Sequence, residues 1–582
     1  MCRHADSEVI QVAIYENFVG ASRDDFLSLK DAQNNYKLSY EENFNFAYDV
    51  LDVLGTTKPN KLAMVYVSND GEEKRFTFED MMIASNKAAN FFTSLGIKKG
   101  DTVLLTLKRS YYFWFCMLGL HKIGAIAIQA THMLKSKDYI YRCEVAKIKC
   151  VIITGDGEAT EYFDEGADKC KSVKVKLTTG GKEKKIGNGW LSFEEGFEGS
   201  SSRWTRPTGK KATKADDTML VAFSSGTTGY PKMITHNFKY PLGDIMTCVF
   251  WHRVVDGGLH FTISDTGWLK SLWGKFYGQW FGECAVLVYD FDKFVAKDIL
   301  SVIEKYKVTT FCVPPTMYRM LLEEDVSKYD LSSMVHCCSA GEALNPEIFN
   351  KWKQATGLKI YEGFGQTETT VCIATLYPWS EPVPGTLGYP VPGYDVNILD
   401  AENKPCQRGT TGEISIRVLS QKRKACGLLD TYNYSKEDTQ NAVYGGYFHT
   451  GDTAYRDETG VFRYVGRNDD VIKSSGYRIG PFEIESVLLE HDAVKEVAVT
   501  GVPDPIRGFA VKAAIVLADG YEGSDELTKE LQKYVKDNTA PYKYPRVVEY
   551  VKELPKTFNG KIRRSEIREN DAQKAAEEKV GK

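Results

Sequence analysis

The sequence predicts an α/β protein in which a large N-terminal domain of stacked βα sheets is followed by a small α+β domain. Three observations favour this fold class. The chain has 582 residues, more than one hydrophobic core usually supports, so two or more domains are expected. Strand-like and helix-like segments alternate through the N-terminal part, as they do where helices join parallel strands. Beyond Arg467 the pattern changes to short strands around one amphipathic helix.

The alternation in the N-terminal part starts at a helix with a clear beginning and end. Thr77 and Asp80 have the spacing of a capping box, and apolar residues then recur at helical intervals until Gly96 ends the predicted helix. The apolar run at 111–120 is too short to span a bilayer and indicates a buried helix. The elements predicted after Gly96 are a strand at 102–107, a helix at 113–121 and a strand at 125–129.

The domain boundary is predicted between residues 468 and 469, which gives domains of 1–468 and 469–582. Residues 199–214 are rich in Ser, Gly, Lys and Thr, so they predict a solvated loop before the strand at 219–223. The elements predicted in the smaller domain are strands at 496–500, 511–517 and 546–551 and a helix at 526–536.

The composition excludes several classes of protein. Apolar residues make up 43% of the chain and charged residues 26%, which is ordinary for a globular protein. The net charge of −4 and the pI of about 6.2 offer no basic surface for nucleic acid or an anionic membrane. We therefore expect no nucleic-acid partner and no membrane span, while a homo-oligomer remains open.

Cysteine usage and the two ends of the chain bear on the compartment. The thirteen cysteines include no CxxC pair, so we expect reduced thiols in place of a disulfide framework or a zinc site. The first residues lack an apolar signal core, and the last three, Val-Gly-Lys, are not a retention or peroxisomal signal. We expect a cytoplasmic protein; mitochondrial residence of a processed chain stays open, although no transit segment is visible.

A glycine- and hydroxyl-rich string, SSGTTGYPK at 224–232, follows the strand predicted at 219–223. Such a loop can wrap a phosphate chain, because glycines let backbone N–H groups approach the anion and the lysine adds a compact positive charge. The spacing is neither the GxxxxGK[ST] of a P-loop nor the GxGxxG of a dinucleotide site. The candidate phosphate-binding residues are Ser224, Ser225, Gly226, Thr227, Thr228, Gly229 and Lys232.

Four further strings occur in a fixed order after this loop: YEGFGQTE at 361–368, FHTGD at 448–452, GRNDD at 466–470 and PKTFNGKI at 555–562. Together with the phosphate loop they resemble the signatures of the adenylate-forming superfamily, which contains acyl-CoA synthetases, luciferases and peptide-synthetase adenylation domains. The resemblance extends from about Asn43 to the C-terminus. It implies a β-barrel-like part within the large domain and a small domain that is mobile.

The resemblance implies an AMP-forming acyl-CoA synthetase, which uses ATP, Mg²⁺ and coenzyme A and acts on a small-molecule carboxylic acid. Lys561 would align the carboxylate with the α-phosphate, and Glu368 would bind magnesium, since Mg²⁺ prefers hard oxygen ligands. Asp452 would accept hydrogen bonds from the ribose hydroxyls, with Arg467 assisting. Catalytic roles fall to Lys561, Thr227, Lys232 and Glu368. Further ATP-binding positions are Gly365, Gln366 and Thr367, together with Gly341, Glu342, Glu362, Gly363 and Phe364, which lie in the two segments implied to flank the adenine ring, 341–343 and 362–364.

The resemblance also implies that the small domain rotates about Asp469 after adenylation, so that one pocket serves two steps. Acetate- and propionate-activating relatives carry tryptophan where this chain has Gly365, which leaves room for a larger acid; an indole accounts for about 150 to 250 Å² of contact surface. Trp268 would line the same acyl pocket. The residues implied to face coenzyme A are Ser475, Gly476, Tyr477, Arg478, Arg507, Lys536, Tyr544 and Arg546.

Three alternatives remain open from the residues alone. An adenylation enzyme that loads an aryl or amino acid onto a carrier protein would use the same ATP site, although only about 20 residues follow Lys561. A catalytically silent scaffold would have lost motif residues, which this chain retains. A luciferase-like oxygenase shares the signatures. The closer similarity to the medium-chain acyl-CoA synthetase branch favours a ligase for short or medium, branched or cyclic acids.

Overall fold

The computed structural model describes residues 13–180, 189–224, 231–419, 424–474, 477–504, 507–556 and 562–580. Within these ranges the strands form four sheets. Two belong to the α/β layers predicted for the N-terminal part, a third is antiparallel, and a fourth lies in the C-terminal part. The predicted fold class is confirmed.

The first sheet has nine strands in the described part of the chain. Its central strands are parallel and its edges antiparallel. Because ligands bind at the carboxyl ends of parallel strands in such sheets, the segments that follow the central strands are the expected place for a site. The spatial order is Tyr389–Pro390, Ile373–Ala374, Ile360–Phe364, His336–Ser339, Thr310–Cys312, Leu259–Thr262, Ala285–Asp290, Leu62–Ser68 and Glu73–Thr77.

The second sheet has seven described strands, all parallel except for the last pair. That antiparallel pair is the hairpin that flanks the glycine-rich string. The spatial order is Trp190–Ser192, Val175–Thr179, Cys150–Thr154, Thr102–Thr106, Ile126–Gln129, Thr218–Ser224 and Lys232–Asn237.

The third and fourth sheets each have five strands among the described residues. The third is antiparallel throughout, and the fourth has one parallel pair. The third sheet contains Val396–Leu399, Gly412–Arg417, Tyr447–Arg456, Val443–Tyr444 and Phe462–Arg467. The fourth contains Tyr477–Ile479, Ile472–Ser474, Gly508–Leu517, Val494–Asp504 and Val547–Tyr550.

Helices cover the sheets and connect their parallel strands. The described α-helices are Glu16–Val19, Leu29–Asn35, Val53–Thr57, Phe78–Ser94, Tyr112–Ile123, Ser136–Ala146, Ala159–Glu165, Phe193–Glu198, Tyr240–Ile245, Lys270–Lys275, Tyr277–Phe281, Ala296–Tyr306, Pro315–Leu321, Pro346–Thr356, Lys436–Ala442, Pro481–Leu489, Asp525–Asn538 and Arg564–Val580. The 3-10 turns are Arg23–Asp25, Gly209–Lys211, Val326–Lys328 and Pro541–Lys543, and the π-helical turns are Ala47–Asp52 and Met246–Trp251.

Two central helices show how the sequence produces the core. Thr77 accepts the N–H of Asp80, while the Asp80 carboxylate accepts the N–H of Thr77, so the predicted capping box is confirmed. The helix Tyr112–Ile123 is buried along almost its whole length, as its apolar run predicts. The two helices approach closely because Gly119 has no side chain: a Cβ there would lie 2.6 Å from that of Ala88.

None of the helices in the described ranges is long and apolar enough to cross a lipid bilayer. The predicted strands of the C-terminal part occur as Val494–Asp504, Gly508–Leu517 and Val547–Tyr550, and its predicted helix as Asp525–Asn538. The hydrophobic cluster of this part, centred on residues such as Ile479, Val499 and Leu531, is separate from the clusters of the large sheets. The small α+β unit therefore has its own core.

Candidate active site

The glycine-rich string at 224–232 connects two strands of the second sheet, and its first and last residues are directly paired. Ser224 ends one strand and lies opposite Lys232, which begins the next. Ser225, Gly226, Thr227, Thr228 and Gly229 lie outside the described residues. Lys232 is exposed at the beginning of its strand, and the Tyr141 hydroxyl donates to the carbonyl of Pro231 at 2.9 Å. The ends of the string are thus fixed by the hairpin.

Tyr432 connects the hairpin to the predicted magnesium ligand. Residues 430–433 run along the strand Lys232–Asn237 and exchange backbone hydrogen bonds with it, which extends the sheet edge. The Tyr432 hydroxyl donates to Glu368 Oε1 at 2.7 Å, and the Lys232 ammonium lies 5.5 Å from the centre of the Tyr432 ring. Lys232 and Glu368, which are both predicted to act on the phosphates, therefore both lie next to the Tyr432 side chain.

Glu368 is the residue predicted to hold magnesium. The surrounding protein raises the pKa of its carboxyl by desolvation, against which the Tyr432 hydrogen bond acts. In the described part of the chain no group of three or more His, Cys, Asp or Glu side chains could form a metal cage. One carboxylate fits magnesium bound to a nucleotide, because Mg²⁺ retains waters and takes further ligands from phosphate.

His236 contacts the backbone of the segment 366–368, which contains the predicted magnesium ligand. The His236 Nε2–H donates to the Thr367 carbonyl at 2.8 Å, and burial lowers the pKa of this imidazole to about 4. The ring is therefore neutral at pH 7 and orients the segment without adding charge.

Two segments predicted to flank the adenine ring are joined by a buried carboxyl. Glu362 Oε1 accepts the backbone N–H of Leu344 at 3.0 Å, which links the end of one strand to the Gly341–Leu344 turn. Burial raises the pKa of Glu362 to about 8. Gly341 has φ +106°, a conformation that glycine adopts without strain, and Glu342 accepts the Thr316 hydroxyl at 2.8 Å.

Asp452 is the centre of the densest polar network at the site. Its Oδ1 accepts the Tyr464 hydroxyl at 2.8 Å. Its Oδ2 accepts Arg467 Nη1 at 3.3 Å and the Gln366 amide. The residue is only 4% exposed, so these charge-assisted bonds are formed away from bulk water. Asp452 and Arg467 are also direct partners on neighbouring strands.

The network extends to the predicted adenine face and to the predicted hinge. The Phe364 ring lies 6.5 Å from that of Tyr464, centre to centre. The guanidinium of Arg467 lies 3.5 Å from Asp469 as well as near Asp452. Burial lowers the pKa of Arg467, but the two carboxylates outweigh it and raise the pKa above the ordinary value. The structure thus brings together Gln366, Asp452 and Arg467.

The two residues predicted for the acyl pocket follow strands of the first sheet that have two other strands between them, Ile360–Phe364 before Gly365 and Leu259–Thr262 before Trp268. Gly365 follows the strand Ile360–Phe364, and a Cβ there would lie 2.5 Å from the Thr370 carbonyl. The missing side chain therefore has a local packing reason, independent of the acid. Trp268 precedes the helix Lys270–Lys275, and its buried indole N–H has no hydrogen-bond partner within the described residues.

Part of the predicted coenzyme A surface is brought together in the C-terminal part. Tyr544 lies between two cations: the Lys536 ammonium is 3.9 Å and the Arg546 guanidinium 4.5 Å from its ring centre. Tyr477 is half exposed and stacks on Tyr542 at 4.0 Å. Arg507 pairs with Asp504 at 3.5 Å, three residues earlier. Ser475, Gly476, Lys561 and the side chain of Arg478 lie outside what the structure describes.

Sequence reasoning missed three side chains at this site: Tyr432, Tyr464 and His236. Each contacts a predicted residue from a segment outside the five signature strings. Tyr464 lies two residues before Gly466, so its position at the end of an apolar strand was the one available signal. Tyr432 lies in a segment that pairs with a strand almost 200 residues earlier, and His236 contacts a residue 131 positions away, which spacing does not reveal.

The chain matches known families over most of its length. The AMP-binding enzyme family matches residues 52–420, and the AMP-binding enzyme C-terminal domain matches residues 483–561. Acyl-coenzyme A synthetase ACSM3, mitochondrial, of Mus musculus is 38% identical over 96% of this chain and 96% of its own. Acyl-coenzyme A synthetase ACSM5, mitochondrial, of the same species is 39% identical over 91% of each.

Solved structures agree with these sequence relatives. An anthranilate CoA ligase, AuaEII, in complex with anthranoyl-AMP superposes with a TM-score of 0.81 at 29% identity, covering 92% of this chain and 99% of its own. An acyl-CoA synthetase of Brucella canis has a TM-score of 0.72 at 28% identity, over 94% and 99% of the two chains.

The relatives contradict the predicted cytoplasmic location. Those at 38% to 39% identity are named as mitochondrial proteins. The prediction was wrong because it relied on the lack of an apolar signal core, and mitochondrial transit segments are amphipathic and Arg-rich instead. Residues 1–12 lie outside the described part of the chain. The extent of both matches and the identity to full-length relatives show that the chain belongs to the AMP-binding enzyme family, among its acyl-coenzyme A synthetases.

Proposed function

We propose that the protein converts a carboxylic acid larger than propionate into its acyl-CoA through an acyl adenylate, with AMP and diphosphate as the other products. The observation that carries this proposal is the buried Asp452 network, in which a carboxylate with two acceptor oxygens lies beside the predicted adenine and phosphate segments. A ribose offers two adjacent hydroxyl donors, and a carboxylate can accept both. Such an arrangement suits a nucleotide held in one orientation.

In the first step a substrate carboxylate oxygen attacks the α-phosphorus of ATP, and the bond to the diphosphate breaks. The chain would support this step by holding the ribose of the nucleotide at Asp452 and the phosphates at residues 224–232. Lys561, from the C-terminal signature, would place its ammonium between the carboxylate and the α-phosphate, where it stabilises developing negative charge. Thr227 and Lys232 would add donors to the same phosphates.

Magnesium would be held by Glu368, whose carboxylate lies next to Tyr432 and near Lys232. When bound, the ion supplies charge neutralisation on the phosphates. The Tyr432 hydroxyl would orient Glu368 by donating to its Oε1. His236 would hold the preceding residue, Thr367, in place through its carbonyl.

In the second step the thiol sulfur of coenzyme A attacks the acyl carbon, the bond to AMP breaks, and the thiol proton is released. We propose that residues 469–582 form the domain that turns about Asp469 between the two steps. Its separate hydrophobic core supports movement as one body. The cations on either side of Tyr544 would attract the phosphates of coenzyme A.

The proposed acid is short or medium in length, branched or cyclic. Gly365 supports this because no side chain projects from it, although the close approach of the Thr370 carbonyl means that the glycine has a structural role as well. Neighbouring chain lengths would differ by only about 1 to 3 kcal/mol per methylene, so the enzyme would accept several acids.

The test is AMP release from MgATP with single acids from acetate through octanoate, together with isobutyrate, 2-methylbutyrate, cyclohexanecarboxylate and benzoate. We expect AMP formation that requires coenzyme A and is greatest above propionate. A maximum at acetate would contradict the proposed pocket. AMP formation that does not depend on coenzyme A, or none with any acid, would contradict the proposed reaction.

A further inference from the structure

The ribose-side carboxylate projects from an irregularity between two strands of the third sheet. In the pairing of Gly412–Arg417 with Tyr447–Arg456, Ser415 lies opposite His449, whereas Glu413 lies opposite Thr453. Ile414 on the first strand therefore faces three residues on the second, 450–452, and the last of these is Asp452. Bulges of this kind redirect a side chain out of the sheet and are common next to active sites.

A bulge leaves backbone groups without their ladder partners, and side chains replace them here. Glu413 Oε1 accepts the backbone N–H of Gly451 at 2.8 Å. The Thr450 hydroxyl donates to the Ile414 carbonyl at 2.7 Å and accepts the N–H of Asp452 at 3.1 Å. Because an unpaired buried N–H is costly, the Glu413 carboxylate stabilises this one path of the backbone.

Gly451 is the point at which the bulge touches the network. Its φ of +73° is in the left-handed region, and a Cβ there would lie 3.0 Å from Arg467 Nη2. The backbone of Gly451 thus passes directly beneath the guanidinium that contacts Asp452. A shift of Gly451 would therefore move Asp452 and Arg467 relative to each other.

The second oxygen of Glu413 is held from the other side. His449 Nδ1 lies 3.0 Å from Glu413 Oε2, and the imidazole stacks on the Tyr444 ring at 3.7 Å with nearly parallel planes. The side chain of Glu413 is 20% exposed and that of His449 6%. Both carboxylate oxygens of Glu413 are therefore held by partners. A carboxylate that only balanced surface charge would need neither contact.

We propose that Glu413 is a positioning residue for ribose recognition: it holds the Gly451 backbone so that Asp452 presents its oxygens to the two ribose hydroxyls. It acts through the bulge and is not in the network around Asp452 itself. The proposal rests on the proposed function, because it assumes that the nucleotide ribose is the group that Asp452 binds.

The experiment compares ATP with 2′-deoxy-ATP and 3′-deoxy-ATP as ligands of the full-length chain, by calorimetry without acid or coenzyme A. Wild type is expected to bind ATP about 10- to 100-fold more tightly than either analogue, since each lacks a hydroxyl that bonds a charged group. In Glu413→Ala this preference is expected to fall to within about threefold, mainly through weaker binding of ATP.

A conservative variant and a matched control separate positioning from general stability. Glu413→Gln keeps an oxygen that can accept the Gly451 N–H, so it is expected to retain most of the preference for ATP. Asp395→Asn removes an ion pair with Arg417 in the same sheet, at 2.9 Å, without touching the bulge; it is expected to bind like wild type. Steady-state kinetics of Glu413→Ala should show KM for ATP rising with kcat little changed.

Each other outcome overturns a distinct statement. If wild type prefers ATP and Glu413→Ala prefers it as strongly, Glu413 has no positioning role and the proposed function stands. If Glu413→Ala does not fold, Glu413→Gln decides: loss of the preference in a folded Gln variant would show that the contact with His449 matters and not the Gly451 bond, against the proposal. If wild type binds ATP without preference, the ribose assignment of Asp452 fails, and if it binds no ATP, the proposed function fails.

Discussion

The proposed ribose end of the site, centred on Asp452, and the proposed coenzyme-A-facing surface, centred on Tyr544, are organised in different ways. Asp452 is 4% exposed and accepts hydrogen bonds from three side chains. Around Tyr544 two cations lie over an aromatic ring, and the side chain of Lys536 is exposed. Groups fixed before the ligand arrives lose little freedom on binding, whereas long surface cations must be ordered by it. The ribose end is thus pre-organised and the other surface adaptable.

This contrast predicts that single substitutions cost most at Asp452. In Asp452→Asn an amide nitrogen would face one of the present donors, so Arg467 or Tyr464 would lose its partner. Because breaking a buried charged hydrogen-bond network costs roughly 3 to 5 kcal/mol, we expect kcat/KM for ATP to fall about 10²- to 4 × 10³-fold. Steady-state kinetics with varied ATP measure this. Asp457→Asn, on a turn beyond the same strand, is the control, and a loss below threefold in Asp452→Asn would contradict the prediction.

A smaller loss is expected when only one of the three donors is removed. Tyr464→Phe deletes the hydroxyl that bonds Asp452 Oδ1 and keeps the ring that packs on Phe482 at 6.2 Å. A hydrogen bond to a charged group contributes about 1.5 to 3 kcal/mol, so kcat/KM for ATP should fall about 10- to 150-fold. Tyr447→Phe, which removes a hydroxyl bonded to Arg417, should behave like wild type. Equal losses in both variants would mean that the network is not specific.

A third prediction concerns stability at the adenine side. Burial raises the pKa of Glu362 from its ordinary 4.5 to about 8. Between these values the folded protein binds a proton that the unfolded chain has released, so stability falls as pH rises, by about 1.4 kcal/mol per pH unit. Glu362→Gln removes the dependence. Its thermal midpoint relative to wild type should therefore rise from pH 5 to pH 8, then level off.

The control for this pH series is Glu381→Gln, which removes an exposed carboxylate paired with Lys359 on the surface. Its midpoint difference from wild type should stay flat over the same range. A flat difference in Glu362→Gln as well would show that the Glu362 carboxyl is ionised in the folded protein near neutral pH. The midpoints can be followed by circular dichroism.

The comparison of the two regions also explains what could be predicted from the sequence. Asp452, Arg467 and Glu368 stand in contiguous signature strings, and the chemistry of each string calls for that side chain at that position. The capping box at Thr77 follows from local periodicity in the same way, as do three strands of the second sheet, Thr102–Thr106, Ile126–Gln129 and Thr218–Ser224. Each of these features depends on residues that lie close together in the chain, so it can be predicted from the sequence.

The rest depends on contacts between distant segments. Tyr432 reaches Glu368 only because residues 430–433 pair with the strand that begins at Lys232. Glu413 reaches Gly451 only because the register of two strands slips between them. Gly365 shows the converse: the sequence suggested an opened pocket, while the structure adds a close backbone contact as a reason for glycine. The spacing of residues within one segment cannot predict such contacts between distant segments.

The smallest effects are expected on the coenzyme A side, where they also sharpen the comparison. Arg546 has its guanidinium over Tyr544 and stays available to a phosphate, whereas Arg507 is paired with Asp504 in its own turn. Both arginines are partly exposed, and since charges near the surface contribute about 0 to 1 kcal/mol, Arg546→Gln should raise KM for coenzyme A up to about fivefold, and Arg507→Gln less. Both effects should shrink as salt is raised from 0.05 to about 0.5 M, because screening weakens exposed pairs.

The measurement is KM for coenzyme A at two salt concentrations, with KM for ATP as the internal control. If Arg546→Gln changed KM for ATP as much as KM for coenzyme A, the two regions would not be separate binding surfaces. If its effect reached that of Asp452→Asn, the coenzyme A surface would be as pre-organised as the ribose end. A salt-sensitive, severalfold effect on coenzyme A alone is what an adaptable surface of exposed cations predicts, because each cation contributes little and its neighbours, Lys536 among them, substitute for it.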